Sequence, residues 1–200
     1  MQQTKIKVGP EDHGRRMSLA DFDLAEVQEG YLYELSRGII TVSDVPGPRH
    51  FAQVDVLREQ FYLYRAAHPG RIYRIGSGSE CKLLVGDLES ERHPDVLVYK
   101  TPPPTENTWS TWVPDLVIEV VSPGSQHRDY DEKREEYLAF GVKEYWIVDA
   151  DEQEILALRR WGGRWRERYL RPGDVYEPRV LPGFQLDVAA VFRAADEEDA

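Results

Sequence analysis

The sequence predicts an α/β (α+β) protein: a central mixed β-sheet flanked by helices, with a C-terminal β-hairpin. Three observations carry this. Leu116–Val121 (LVIEVV), except at Glu119, and Tyr145–Val148 (YWIV) are apolar on both pleat faces, as strands covered on both sides are. His50 to Ala67 sets Phe51, Val54, Leu57, Phe61 and Tyr64 on one helical stripe. Ile155–Trp161 and Arg164–Leu170 flank Gly162–Gly163, the signature of a tight hairpin.

Along the chain, residues 1–17 are expected to be a flexible segment, 18–193 a single domain, and 194–200 an acidic tail. Ser18 is a helix N-cap with Asp21 three residues on, and the helix is expected to run to Gly30. Tyr31 to Val42 reads as two short strands around a turn at Ser36–Gly38. Val45–Arg49 is a Pro/Gly loop, and Pro69–Gly70 ends the His50–Ala67 helix. Strand signals follow at Arg71–Ile75, Cys81–Val85, Asp95–Tyr99 and Leu116–Val121, with TPPPTENTWST as the loop between the last two. Asp129 to Phe140 is a helix closed by Gly141. Strands and helices succeed one another without an internal repeat, which fits helices packed on a mixed sheet.

Composition narrows the function. A chain of 200 residues with 41% hydrophobic content is long enough for one sizeable core. The lone Cys81 excludes an internal disulfide, argues against a cysteine-based zinc site, and fits a reducing, cytoplasmic location. Residues 1–17 lack the apolar core of a signal peptide, and no run approaches the ~20 apolar residues that span a bilayer, so no membrane partner is expected. A net charge of −11 argues against generic adhesion to polyanions. It fits a site that gathers carboxylates around a divalent metal.

The most informative residue is Glu119. It interrupts an otherwise apolar strand, where a carboxylate costs several kcal/mol unless a cation or donors meet it. Two cations are natural: a metal ion, or Lys133 on the helix that follows. Asp95, after Pro94, opens the preceding strand VLVY. Two carboxylates on neighbouring strands can share a hard cation such as Mg²⁺ through oxygen ligands. Such an ion polarises a phosphoryl oxygen and acidifies a bound water, and an adjacent ammonium offsets charge at phosphorus. These are the groups that phosphodiester hydrolysis needs.

These residues also carry a family resemblance. HPDVLV, then PDLVIEVVSP, then D-x-x-x-K-x-x-x-Y-x-x-x-G-V-x-E-Y-W-I-V-D resemble the Uma family of putative restriction endonucleases, within the PD-(D/E)xK nuclease superfamily. The resemblance runs from about Ser18 to Phe192, and includes YELSRGII at Tyr33–Ile40, His50, and the terminal LPGFQLDVAAVF. It implies a restriction-endonuclease-like core, Asp95 as the metal-binding aspartate, and Glu119 as the second acid. The superfamily expects lysine two residues after that acid. This chain has Val121, which makes Lys133 a migrated lysine.

Other residues are weighed around this trio. Asp129, Lys133 and Tyr137 share one helical face, and Asp129–Lys133 would equally serve as an ordinary i, i+4 ion pair. Glu34 is a candidate outer acid through the resemblance, or an exposed edge charge. His50 is a helix-start or core histidine unless the site claims it. Asp115 shares Glu119's pleat face but lies roughly 13 Å away at strand rise, too far to share one ion. Arg159, Arg160, Arg164, Arg166, Arg168 and Arg171, interleaved with Trp161, Trp165 and Tyr169, form the one basic concentration. Arg164 and Arg166 are candidate DNA-backbone contacts; alternatively, the arginines blunt an exposed sheet edge.

The sequence therefore points to a Mg²⁺- or Mn²⁺-dependent endonuclease hydrolysing phosphodiester bonds in DNA. Asp95 and Glu119 would hold the metal, and Lys133 would position water or stabilise developing charge. A homodimer is expected, since cutting two strands needs two sites. The alternative is a catalytically inactive nucleic-acid-binding or regulatory protein of the same fold. A metal-free acid/base pair acting on glycosides is disfavoured by Lys133 and the lack of a sugar-platform motif.

Overall fold

The computed structural model describes residues 6–104 and 109–198. In chain order these form Lys7–Val8 (β1), Leu19–Asp23 (α1), Glu26–Val27 (β2), Tyr31–Ser36 (β3), Ile39–Asp44 (β4) and Pro48–Ala67 (α2). Next come Arg74–Gly76 (β5), Leu83–Val85 (β6), Ser90–Arg92 (β7), Val96–Tyr99 (β8), Leu116–Val120 (β9) and Lys133–Phe140 (α3). The last are Glu144–Asp149 (β10), Glu154–Trp161 (β11), Arg164–Leu170 (β12), Val175–Tyr176 (β13), Leu186–Asp187 (β14) and Val188–Glu198 (α4).

The principal sheet is mixed, with order β12-β11-β10-β9-β8-β5. Strands β9 and β10 run parallel, joined by the crossover through α3; the other pairs are antiparallel. Its apolar runs bury both faces. Val96, Val98, Leu116, Ile118, Val120, Trp146 and Val148 pack with Leu57 and Phe61 of α2 and Val191 and Phe192 of α4. Leu97, Val117, Tyr145 and Ile147, one residue out of phase, pack with Tyr137 of α3. Period-two alternation thus sends consecutive residues of one strand into opposite cores.

A second sheet, β4-β3-β7-β6, stands beside the first. Its β3–β4 hairpin turns through Arg37 and Gly38 at φ 48° and 75°, the paired positive φ values of the two-residue turn whose twist matches its strands.

Four expectations need correction. Residues 7–17 are not loose: β1 pairs with β2, Val8 is buried, and Arg16 bridges to Ile39. For the same reason α1 stops at Asp23, because Glu26 and Gln28 donate their N–H groups to Ile6 and Val8. Strand β7 escapes the apolar pattern because its sequence is Ser-Glu-Arg; polar partners make its burial possible. The C-terminal segment is helical to Glu198, anchored by Val191, Phe192 and Ala195, so the acidic end continues α4. Part of the TPPPTENTWST loop (105–108), residues 1–5 and residues 199–200 lie outside the described residues. Among the described residues no helix is long and apolar enough to cross a membrane.

Candidate active site

The centre of the site follows from strand register. Val96 pairs with Ile118 across antiparallel β8 and β9, so one further residue places Asp95 opposite Glu119. Side chains so opposed have Cβ atoms roughly 4.5–5.5 Å apart. Alternation along β9 points Glu119 away from Ile118 and Val120, toward α3. There the Tyr137 hydroxyl donates to Glu119 Oε1, and Lys133 Nζ lies 3.0 Å from Oε2. Glu119 is 2% exposed, so these two groups supply the cation and donor its burial requires.

Helix α3 does not begin as a regular α-helix. Residues Arg128–Glu132 form a π-type turn in which the Lys133 N–H donates to the Arg128 carbonyl. Such bulges recur at functional sites. Here it precedes Lys133, whose ammonium lies 3.1 Å from Asp129 Oδ1 as well as beside Glu119. Asp129 is fixed in turn by the Ser125 hydroxyl at 2.5 Å.

The second sheet contributes Glu34 from β3. Its Oε1 accepts the His93 N–H at 3.1 Å; its Oε2 is 3.2 Å from Arg92 Nη1 and 3.8 Å from Lys133 Nζ. Arg92, fully buried on β7, spends its remaining donors on Glu136 (2.7 and 3.1 Å), Glu132 (3.2 Å) and the Ser36 hydroxyl (2.8 Å). One guanidinium therefore ties the second sheet to α3. On the other side, His50 near the start of α2 lies 3.1 Å from Asp95 Oδ2, which also accepts the Val120 N–H at 2.7 Å.

These groups line one cavity of about 780 Å³, walled by Glu34, His50, Asp95, Glu119, Asp129 and Lys133. Tyr137 lies behind it. Burial pushes the Glu119 carboxyl up to about 8; Lys133 opposes this, while Asp95, Asp129 and Glu34 reinforce it. Burial also works against the Lys133 ammonium, but Asp129, Glu119 and Glu34 outweigh it and hold its pKa above the ordinary value. Glu34 goes the other way. Burial would raise it, yet Lys133, Arg92 and the His93 N–H bring it down to about 2. The cavity has more carboxylates than cations, and Glu119 bears the excess.

Among the described residues no three His, Cys, Asp or Glu side chains converge as a complete ligand set. Asp95 and Glu119 nevertheless fit a hard divalent cation. Both hydrogen bonds to Asp95 fall on Oδ2, which leaves Oδ1 for an ion. Mg²⁺ is commonly held by one or two carboxylates, with water and substrate phosphate completing its shell.

The structure thus brings together Asp95, Glu119, Lys133, Glu34, His50, Asp129 and Tyr137. It does not bring Arg164 and Arg166 to them. Both lie on edge strand β12, three strands from β9, and Arg166 stacks on Trp161 at 4.0 Å. Asp115 is structural: it accepts the Lys100 N–H and pairs with Lys143. Sequence reasoning missed Arg92, Glu136, Gln53 and Arg128. The available signal was slight, a cation two residues before Pro94 and an arginine at the helix start.

Comparison with known proteins gives the family and the fold. A family model described as Uma2, "Putative restriction endonuclease", matches residues 19–189. The crystal structure of a putative nuclease belonging to DUF820 from Anabaena variabilis is similar at TM-score 0.72 and 20% identity, covering 90% of this chain and 99% of that one. The likeness confirms the restriction-endonuclease-like core. No curated protein matches the chain.

Proposed function

The chain belongs to the Uma2 family of putative restriction endonucleases, and from that premise we propose that it is a metal-dependent endonuclease hydrolysing phosphodiester bonds in DNA. The observation that carries this reading is Asp95 beside Glu119 on paired strands, with the Lys133 ammonium 3.0 Å from the second acid. Asp95 and Glu119 would hold Mg²⁺ or Mn²⁺. Bound there, the cation would polarise a phosphoryl oxygen and lower the pKa of water.

The protein's own groups have separable tasks. Lys133, held protonated by Asp129, Glu119 and Glu34, is a donor rather than a base. It orients the attacking water or meets charge developing on the phosphoryl oxygens. Tyr137 fixes Glu119, His50 fixes Asp95, and Arg92 fixes Glu34. Arg164 and Arg166, away from the cavity, would contact flanking DNA backbone, and a homodimer would supply the second site for the other strand.

The test is plasmid nicking with Mg²⁺ or Mn²⁺ against chelator, in wild type, Asp95→Asn and Glu119→Gln. Metal-dependent nicking lost in both variants is expected. Nicking that survives Glu119→Gln would refute the assignment. One observation favours a second reading, a binding protein without turnover: at the position where the superfamily expects lysine stands Val121, a partly buried apolar side chain that packs against the core and lines the cavity. DNA binding with no nicking under any metal would select it.

A further inference from the structure

The cavity wall is rich in paired polar side chains. Arg49 is joined to Asp151, Lys82 to Asp23, His50 to Asp95, and Lys133 to Glu119. Arg128 differs. It lines the same cavity from the π-type turn, and its buried Nε has no hydrogen-bond partner. Among the described residues its guanidinium forms no hydrogen bond or ion pair, although its neighbour Asp129 is a carboxylate. Two neutral donors on the wall, the Tyr33 hydroxyl and the Gln53 amide, are also unmatched. Gln53, on α2 one turn after His50, is 1% exposed, and its Nε2 lacks any partner. A buried donor without a protein acceptor is costly and asks for an explanation, such as a functional role or a water, ion or ligand that completes it.

We propose that Arg128 and Gln53 bind a non-bridging phosphate oxygen of the nucleic-acid substrate. The inference rests on the nuclease reading and assigns its substrate-phosphate site. Charge supports it. A phosphodiester entering a cavity lined by Glu34, Asp95, Glu119 and Asp129 is repelled, and Lys133 is already shared among three carboxylates. An uncommitted guanidinium is the group on this wall that can accept the anion without first breaking an ion pair, and its planar fork matches phosphate geometry. The Gln53 amide adds a neutral donor. Neither residue takes part in bond breaking; both act in binding.

The test compares wild type with Arg128→Gln, Arg128→Lys and Gln53→Met. It reads KM and kcat for oligonucleotide cleavage, the Kd for the same oligonucleotide with Ca²⁺ replacing Mg²⁺, and Tm. Loss of a charge-assisted hydrogen bond should raise KM and Kd by about tenfold or more for Arg128→Gln, with kcat nearly kept. Arg128→Lys should recover part of the loss. Gln53→Met should raise KM less while leaving Tm unchanged or higher, because the donor it removes has no partner in the fold. Neutralising single phosphates as methylphosphonates should weaken wild-type binding at one linkage, and Arg128→Gln should no longer sense that linkage.

Unchanged KM and Kd in Arg128→Gln, with wild type cleaving, would overturn this assignment and leave the nuclease reading intact. A loss that merely follows a lowered Tm in both variants would also overturn it, as a structural effect. Arg128-dependent binding without cleavage would support this site and refute the nuclease reading. A wild-type protein that neither binds nor cleaves would refute both.

Discussion

Lys133 Nζ lies 3.0 Å from Glu119 Oε2, although one residue is on a helix and the other inside a fully buried strand. The contact exists because α3 is the crossover between β9 and β10, so its first turn returns over the strand that precedes it. In the proposed site, a lysine delivered by that helix would stand in for the one the superfamily carries on the strand itself. Val121, two residues beyond Glu119, is then free to pack against the core.

Lys133→Ala should therefore impair both reaction and fold. Turnover at saturating Mn²⁺ should fall by about 10²-fold or more, the scale for removing one donor aimed at developing charge. Stability without metal should fall by about 3–5 kcal/mol, because Glu119 and Asp129 lose their buried counter-ion. Plasmid nicking and urea unfolding measure the two effects. Near-normal nicking would reduce Lys133 to a structural ion pair.

The raised pKa of Glu119 fixes a pH dependence. A carboxyl that holds its proton more tightly when folded stabilises less and less as pH rises from 4.5 to about 8. The metal-free Tm should fall across that window, and Glu119→Gln should flatten the fall. Mn²⁺ should restore wild-type Tm most at the alkaline end, since it binds the ionised site. An identical Tm–pH profile in Glu119→Gln would place the titration elsewhere.

Arg92 contacts Glu34, Glu132 and Glu136 with no exposure of its side chain. Arg92→Ala should cost about 3–5 kcal/mol, and pairing it with Glu136→Leu should recover part of that, because the second change removes a stranded charge. Arg92→Lys should rescue poorly, since a point charge cannot span three carboxylates. Urea unfolding of the single and double variants gives the coupling. Strict additivity would deny it.

The hairpin makes a different prediction. Arg164 and Arg166 are alternate residues of β12 and share a face remote from Asp95 and Glu119. Arg164→Gln with Arg166→Gln should flatten the salt dependence of DNA binding by roughly one log–log unit per lost phosphate contact. Metal affinity should not change. An unchanged slope would leave these arginines as guards of an exposed sheet edge.

The sequence alone determined the elements whose burial is apolar. LVIEVV and YWIV declared themselves because every residue of a doubly covered strand must be apolar, and Glu119 stood out as the exception. The hairpin was legible from turn chemistry and most of the α2 stripe from its period, but Phe51, placed on that stripe, is 68% exposed, while Gln53 is buried. Strand β7 was not, since Ser90, Glu91 and Arg92 are buried by ionic and hydrogen-bonded partners from distant parts of the chain. Nor was the helical C-terminal end, where Ala195 and Phe192 override the acidity of Asp196–Glu198.

At the site, the sequence supplied Asp95, Glu119 and Lys133 as a set, because a carboxylate in an apolar strand demands a cation and the next helix carries one. Tertiary structure decided which oxygen meets which donor. Register alone sets Asp95 opposite Glu119, and the π-type turn ahead of Lys133 is not encoded in any local period. It also decided which charges are already paired: Arg92 is consumed by three carboxylates, while Arg128 and Gln53 keep donors unmatched. Burial of a charge is a local requirement that one strand can display. Its satisfaction is a long-range event, settled when the second sheet and α3 close over β9.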